Sequence, residues 1–417
     1  MSVPRFESRW PIEAIREQDL YFYLEVIEAY LPDCRVRVVD HGELLMLGSY
    51  SYLGLNGHPK INQAAKDAID QYGTGAHGAR LLAGTVQLHR QLEEKVAAFK
   101  GTEDAVTFTS GYLTNLSTIA CLLGPKDTVI GDVLNHASIV DGCQLSGAGF
   151  VWFKHNDTDH LETCLRQAGN QNEGGRILVV ADAVFSMDGD ILNLPDVSAL
   201  CRRYGATLMV DEAHALGVLG QTGHGIEEYF GLPPDTIDIK MGTFSKTIPS
   251  GGGYIAGSRE LCEMLRHEAR GFIYSGALLP APAAAALAAL EIIEDEPERV
   301  QRLQANVRFF AGLLRRAGFS AIGGMTPIFP IICGEDSKAF ELARYCQKRG
   351  VYVQAIPYPV VPMGKARLRA AVSAAHKRED LTYCATVLRE GALEVGGIPE
   401  RLVDEVASAQ VSGVNSR

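Results

Sequence analysis

Lys246 stands in the stretch "GTFSKTIPSGGG" (242–253), between hydroxyl residues and shortly before three glycines. Asp211 ends the apolar run "TLMVD", 35 residues earlier, and His214 follows it by three. Both the acid and the amine sit at the end of a run that reads as a β-strand. In an open α/β sheet the carboxyl ends of the strands are where ligands bind. An aspartate and a lysine converging there suit pyridoxal phosphate (PLP): the lysine forms the Schiff base, and the aspartate pairs with the pyridinium nitrogen. A protonated ring nitrogen makes the ring an electron sink for Cα carbanion chemistry. Taken alone, an Asp–Lys pair is more often a salt bridge, so the neighbours decide.

Those neighbours form a set. "TSGYLTN" (109–115) places Gly111 and Tyr112 after a strand and at the start of a helix, where free amides and the helix dipole hold a phosphate. Thr243 and Ser245 flank the lysine and offer hydroxyls to the same phosphate. His136, in "DVLNHASIVDG", lies just past another strand, placed to stack on an aromatic ring; alone it would read as a packed loop histidine. Ser186, in "AVFSMDGD", and His214 are expected to reach the ring's oxygen side. "GTGAHG" (73–78) matches a dinucleotide-binding pattern, but a helical segment precedes it and no strand does, so it reads as a turn or as glycines beside a ligand.

The elements that must position these residues alternate. Strands are expected at 105–109, 128–132, 150–153, 176–182, 206–213, 237–244 and 252–257, several of them apolar throughout, as in strands covered on both faces. Helical patterns lie between most of them; "PDVSALCRRYG" opens on Pro and closes on Gly. This βαβ rhythm predicts an α/β fold with a mostly parallel seven-stranded sheet flanked by helices. The spacing predicts four regions: an N-terminal arm (1–45, a helix and then a hairpin), a large domain (46–290), a smaller α+β domain (291–400) and a flexible tail (401–417). The C-terminal domain is expected to contain one long helix over 282–318, short strands at 327–333 and 351–356, and a last helix from near Lys377.

Composition narrows the class. The 417-residue chain carries a formal net charge of −11, and its Lys and Arg residues are scattered, which argues against a nucleic-acid partner. Nine cysteines lie apart with no C-x-x-C pair, as in a protein of reduced, buried thiols in the cytoplasm. The first residues carry no apolar signal segment. The most apolar stretch, 277–293, is Ala-rich with two prolines and reads as a buried helix rather than a membrane span.

With these residues in hand, the sequence resembles the α-oxoamine synthase family, PLP enzymes of fold type I. The resemblance covers about residues 20–395 and runs in family order through "SYSYLGLNGHP", "GTGAHGARLLAGT", "SGYLTN", "NHASIVDG", "DEAHALGVLG", "TFSKTIPSGGGYIAG", "YPVVPMGKARLR" and "SAAH". It implies a decarboxylative Claisen condensation between a small L-amino acid (alanine, serine or glycine) and an acyl thioester, on CoA or a carrier protein. Lys246 then binds the cofactor and serves as the base that takes the Cα proton. His136 matches the stacking histidine, which also meets the substrate carboxylate. Asp211, His214, Ser186 and Thr243 match cofactor-binding positions. Arg367 matches the arginine that clamps the carboxylate, with Arg369 as the neighbouring candidate. The resemblance also implies a homodimer with a shared site, Ser275 reaching the partner's phosphate.

Branches of the family divide the resemblance. "YPVVPMGKARLR" and "SAAH" look most like the aminoketobutyrate ligases, and "SYSYLG" and "TFSK" like the serine palmitoyltransferases, with Ser51 in place of a usual asparagine. Ala79 stands where the glycine-specific aminolevulinate enzymes have a bulkier threonine. Pro357 and Val360 stand where the oxononanoate synthases have polar residues that contact substrate. "TIPSGGG" departs from all of them. Two rival readings remain at this stage: another fold-type I reaction, such as transamination or aldol cleavage, and a non-catalytic subunit.

Overall fold

The computed structural model describes residues 12–18, 21, 23–171, 174–320 and 324–396. The tail expected over 401–417 and the first eleven residues of the arm lie outside them. After a short helix α1 (Ile12–Glu17), the chain runs through three antiparallel strands, β1 (Ile27–Leu31), β2 (Arg35–Val38) and β3 (Gly42–Met46). Helices α2 (Pro59–Tyr72) and α3 (Gln87–Lys100) follow. "GTGAHG" comes directly after α2, so the helix-then-turn order expected of it holds.

Next come β4 (Asp104–Phe108), α4 (Gly111–Leu122), β5 (Thr128–Asp132), α5 (Ala137–Ser146), β6 (Gly149–Phe153), β7 (Ile177–Asp182), β8 (Thr207–Asp211), β9 (Ile239–Thr243) and β10 (Gly253–Gly257). These seven strands form one sheet in the order β4-β10-β9-β8-β7-β5-β6. Strands β9, β8, β7, β5 and β6 pair in parallel, and only β10 runs against its neighbours. Every residue of β7, β9 and β10 is buried, the continuous apolar signature of strands covered on both faces. A buried Val or Leu of this kind contributes about 1.5–3 kcal/mol.

Beyond the sheet, the structure departs from expectation at a helix and at a strand. The helix foreseen over 282–318 is two helices, Pro280–Asp295 and Glu298–Arg316, separated at Pro297. Proline lacks the N–H that would bond the preceding turn and disfavours helical backbone before it. The first of the two buries six of its seven alanines and packs on α2. Strand β11 (Ile328–Gly334) is followed by "VYVQAI", which divides into β12 (Val351–Tyr352) and β13 (Gln354–Ile356). The first half extends the N-terminal sheet by pairing in parallel with β3, and the second pairs with β14 (Ala366–Ala371). A last helix spans Arg378–Glu394. None of the nine cysteines is in a disulfide, and seven are buried.

Candidate active site

The carboxyl ends of β7, β8 and β9 carry Asp182, Asp211 and Thr243 side by side, with Asp182 and Asp211 in register. Above them opens a cavity of about 330 Å³. It is lined by Gly111, Tyr112, His136, Ser186, Asp211, His214, Thr243, Ser245 and Lys246, all expected from the sequence, and by Tyr50, Ser110, Asn115, Ser138 and Asp182, which were not. A hollow of about 430 Å³ at the opposite ends of the strands is lined by Glu103, Asp235, Asp238 and neutral residues, without histidine or lysine; the chemistry lies at the carboxyl ends, as the sheet rule requires.

Lys246 follows β9. Its Nζ lies 2.9 Å from His214 Nε2, and His214 Nδ1 lies 2.8 Å from the buried Tyr52 hydroxyl. Burial, with Lys246 and Arg369 nearby, holds His214 well below the usual histidine range. It is therefore neutral, with one donating and one accepting nitrogen, and links Tyr52 to Lys246 in a single chain. Burial also lowers the lysine to about 8, against the opposing pull of Asp211 and Asp182. An amine so shifted is available as a nucleophile or base near neutral pH.

Asp211 is buried, 3% exposed, and accepts from the Ala213 amide and Asn115 Nδ2, at 2.8 and 2.7 Å. Among the described residues no cation lies within 4.0 Å of it. Asn115 Nδ2 also donates to Ser138 Oγ at 2.9 Å, and Ser138 Oγ in turn reaches His136 Nδ1 at 2.7 Å. A relay thus joins the carboxylate to the histidine. Its middle members escaped the sequence reading because the contacts join α4, α5 and β8. The available signal was helical spacing, since Asn115 lies one turn beyond Gly111 on α4. Burial and the Asp211 charge push Asp182 well above the carboxylate range, and its Oδ2 takes the His136 amide at 2.8 Å.

Gly111 and Tyr112 open α4. Ser110 caps it, accepting the Leu113 amide at 3.2 Å, while the first amides of a helix have no intrahelical carbonyl. Thr243 Oγ1 donates to Gly252 O and sits 2.9 Å from Ser245 Oγ. The three glycines after the lysine differ. Gly252 has φ +114°, which favours glycine, and a Cβ on Gly253 would stand 2.5 Å from Thr114 Oγ1 and 2.9 Å from Gly111 Cα. The missing Cβ lets β10 receive the start of α4.

The two arginines of β14 part company. Arg367 bonds Lys365 O, Met187 O and Asp188 Oδ1. Arg369 bonds Ser186 O at 2.6 Å, approaches the Tyr52 hydroxyl at 3.4 Å and lies 4.9 Å from the Tyr50 ring centre. Lys246 Nζ lies over that same ring, 5.7 Å from its centre. Ser275 stands after helix Arg270–Ile273 and does not line the cavity.

The sequence model of aminotransferases of class I and II matches residues 42–388. The chain belongs to that family. A putative 8-amino-7-oxononanoate synthase of Desulfovibrio desulfuricans is 46% identical over 91% of this chain and 97% of its own. A serine palmitoyltransferase of Bacteriovorax stolpii is 39% identical over 93% and 91%. In three dimensions, a high-resolution structure of a serine palmitoyltransferase with PLP superposes with a TM-score of 0.89, at 30% identity, covering 93% of this chain and 97% of that one. These matches place the chain in the α-oxoamine synthase branch, with fold type I, as a PLP-dependent acyltransferase.

The residues present fit that cofactor. A buried carboxylate without a cation suits a protonated ring nitrogen, an amine at about 8 suits a Schiff base, and helix-start amides with hydroxyls suit a phosphate.

Proposed function

We propose that this α-oxoamine synthase condenses a small L-amino acid (alanine, serine or glycine) with a fatty acyl thioester, releasing CO2 and the free thiol. The observation that carries the reading is the Tyr52–His214–Lys246 chain, which supplies an amine with no contacting carboxylate beside a buried Asp211. When bound, PLP supplies an electron sink for the electron pair left at the amino acid's Cα.

The remaining work falls to the protein. Lys246 takes the Cα proton, and neutral His214 beside it accepts or returns a hydrogen bond without adding charge. Asp211, its plane fixed by Asn115 and the Ala213 amide, would pair with the ring nitrogen. His136, oriented through Ser138, would stack on the ring. The amides of Gly111 and Tyr112, with Ser245 and Thr243, would hold the phosphate, and Ser186, which lines the same cavity, would meet the ring's oxygen side. For the carboxylate clamp we assign Arg369 in place of Arg367, because Arg367 is already occupied by Asp188 while Arg369 borders Tyr50 and Tyr52. A guanidinium suits that bidentate role.

A second cavity of about 400 Å³ shares Tyr50, Ser245 and Lys246 with the first and adds Ile27, Tyr30, Met46 and Tyr352. Its apolar side is where an acyl chain would lie. We infer a homodimer in which Ser275 serves the partner's site, acting in the cytoplasm on acyl-CoA or an acyl carrier protein. Among the described residues no helix is long and apolar enough to cross a membrane.

The test incubates purified enzyme with each amino acid and a series of acyl-CoAs, following thiol release and product mass. An aminoketone with stoichiometric CoA release is expected. Formation of an oxo acid with no thiol release would overturn the reading in favour of transamination.

A further inference from the structure

His155 follows β6, outside the cavity, with its ring edge-on to Phe185 at 4.4 Å between centres. Its Nδ1 lies 3.0 and 3.2 Å from the two oxygens of Asp132, and its Nε2 lies 2.8 Å from Asp190 Oδ2. Ionised carboxylates only accept, so both ring nitrogens carry protons and the ring is a cation. Burial works against that charge, but the bonds to Asp132 and Asp190 outweigh it and raise the histidine to about 10.

Each arm leads to a different part of the site. Asp132, fully buried at the end of β5, also takes the amides of Leu134 and Asn156, both at 2.8 Å. It thereby shapes the loop that presents His136, and Asn135 in that loop bonds Val180 O and the Asp182 amide on β7. Asp190 closes the turn from Phe185, whose amide donates to Asp190 O at 3.1 Å. In that turn, Ser186 O receives Arg369 Nε and Met187 O receives Arg367. The second oxygen of Asp190 is buried with no hydrogen-bond partner among the described residues, and besides the histidine only the neutral Asn156 Nδ2 reaches the first, at 3.5 Å.

We infer that His155 is a positioning residue for the condensation, a cation that fixes the loop carrying His136 to the turn that orients Arg369. Without it, two carboxylates, one fully buried, lose their shared counter-charge, and the two loops are no longer held in register. The inference rests on the reading above that Arg369 and His136 meet the amino acid.

His155→Phe keeps a flat ring and removes both donors, whereas Asp190→Asn weakens only the arm to the Arg369 turn. Kinetics of both purified holoenzymes should show the KM for the amino acid raised on the order of ten- to a hundredfold, with the KM for acyl-CoA unchanged. A lowered melting temperature with an unchanged amino-acid KM overturns the inference. If His155→Phe does not fold, Asp190→Asn decides alone. Arg369→Lys, run in parallel, separates the two levels. An unchanged amino-acid KM in Arg369→Lys rejects the reading of the site. A raised KM there, with Asp190→Asn at the wild-type value, rejects the role of His155.

Discussion

Lys240 and Lys246 stand six positions apart, and the fold puts them to opposite uses. Lys240, within β9, is fully buried; its Nζ lies 2.6 Å from Glu227, 2.9 Å from Lys100 O and in contact with Pro234 O. Lys100 is paired in turn with Glu212, at 2.6 Å. Lys246 meets a neutral histidine instead, and Asp211 and Asp182 act on it without contact. Burial lowers both amines, but at Lys240 the Glu227 carboxylate opposes it at contact distance. A lysine with a touching carboxylate is held as a charged strut, whereas a lysine enclosed without one is available for proton transfer or attack.

The largest expected contrast comes from deleting each amine. Lys246→Ala should lose activity by several orders of magnitude, together with the cofactor's absorbance band, while its melting temperature stays close to wild type. Lys240→Met should keep the band and lose about 3–5 kcal/mol of stability, because Glu227 is left buried and unpaired. Adding Glu227→Gln should restore most of that loss in denaturant titration. A Lys240→Met protein of full stability but without the band would erase the distinction.

A smaller effect separates the two arginines. Arg369→Lys should raise the amino-acid KM about ten- to a hundredfold, the worth of a hydrogen bond to a charged group, and Arg367→Lys should leave it near wild type. Equal effects would mean that β14 presents both side chains to the substrate.

The smallest effects are in pH. Lys246 is held at about 8, below its ordinary 10.5, so capture of added cofactor by the apo-protein should accelerate as pH rises through 8 and level off above it. His155 shows the reverse sign. Its value is raised from 6.5 to about 10, so its contribution to stability is fully present below 6.5 and is lost as pH rises through 10. The melting-temperature gap between wild type and His155→Phe should narrow across that window.

Much of this was legible in the sequence because strand ends and helix starts are local signals. All seven strands of the large sheet lie within two residues of their expected limits, and Lys246, Asp211, His214 and His136 share the expected cavity. What escaped depends on contacts between distant segments. Tyr52 reaches His214 across 162 positions, and Asn115 reaches Asp211 across 96. Arg367 and Arg369 lie on one face of a strand, so alternation cannot separate them; Asp188 does, from the other side of the chain. At Pro297 the signal was present, and the expected single helix ran through a residue that ends helices.

Gly253 carries a consequence for how this enzyme can change. The start of α4 rests on β10 at a point where one added carbon would collide with Thr114 and Gly111. The spacing between the start of α4 and β10 is therefore set by an atom that is missing. Point substitution at this position can only widen it, so a lineage seeking a different cofactor seat has to rebuild the helix and the strand together.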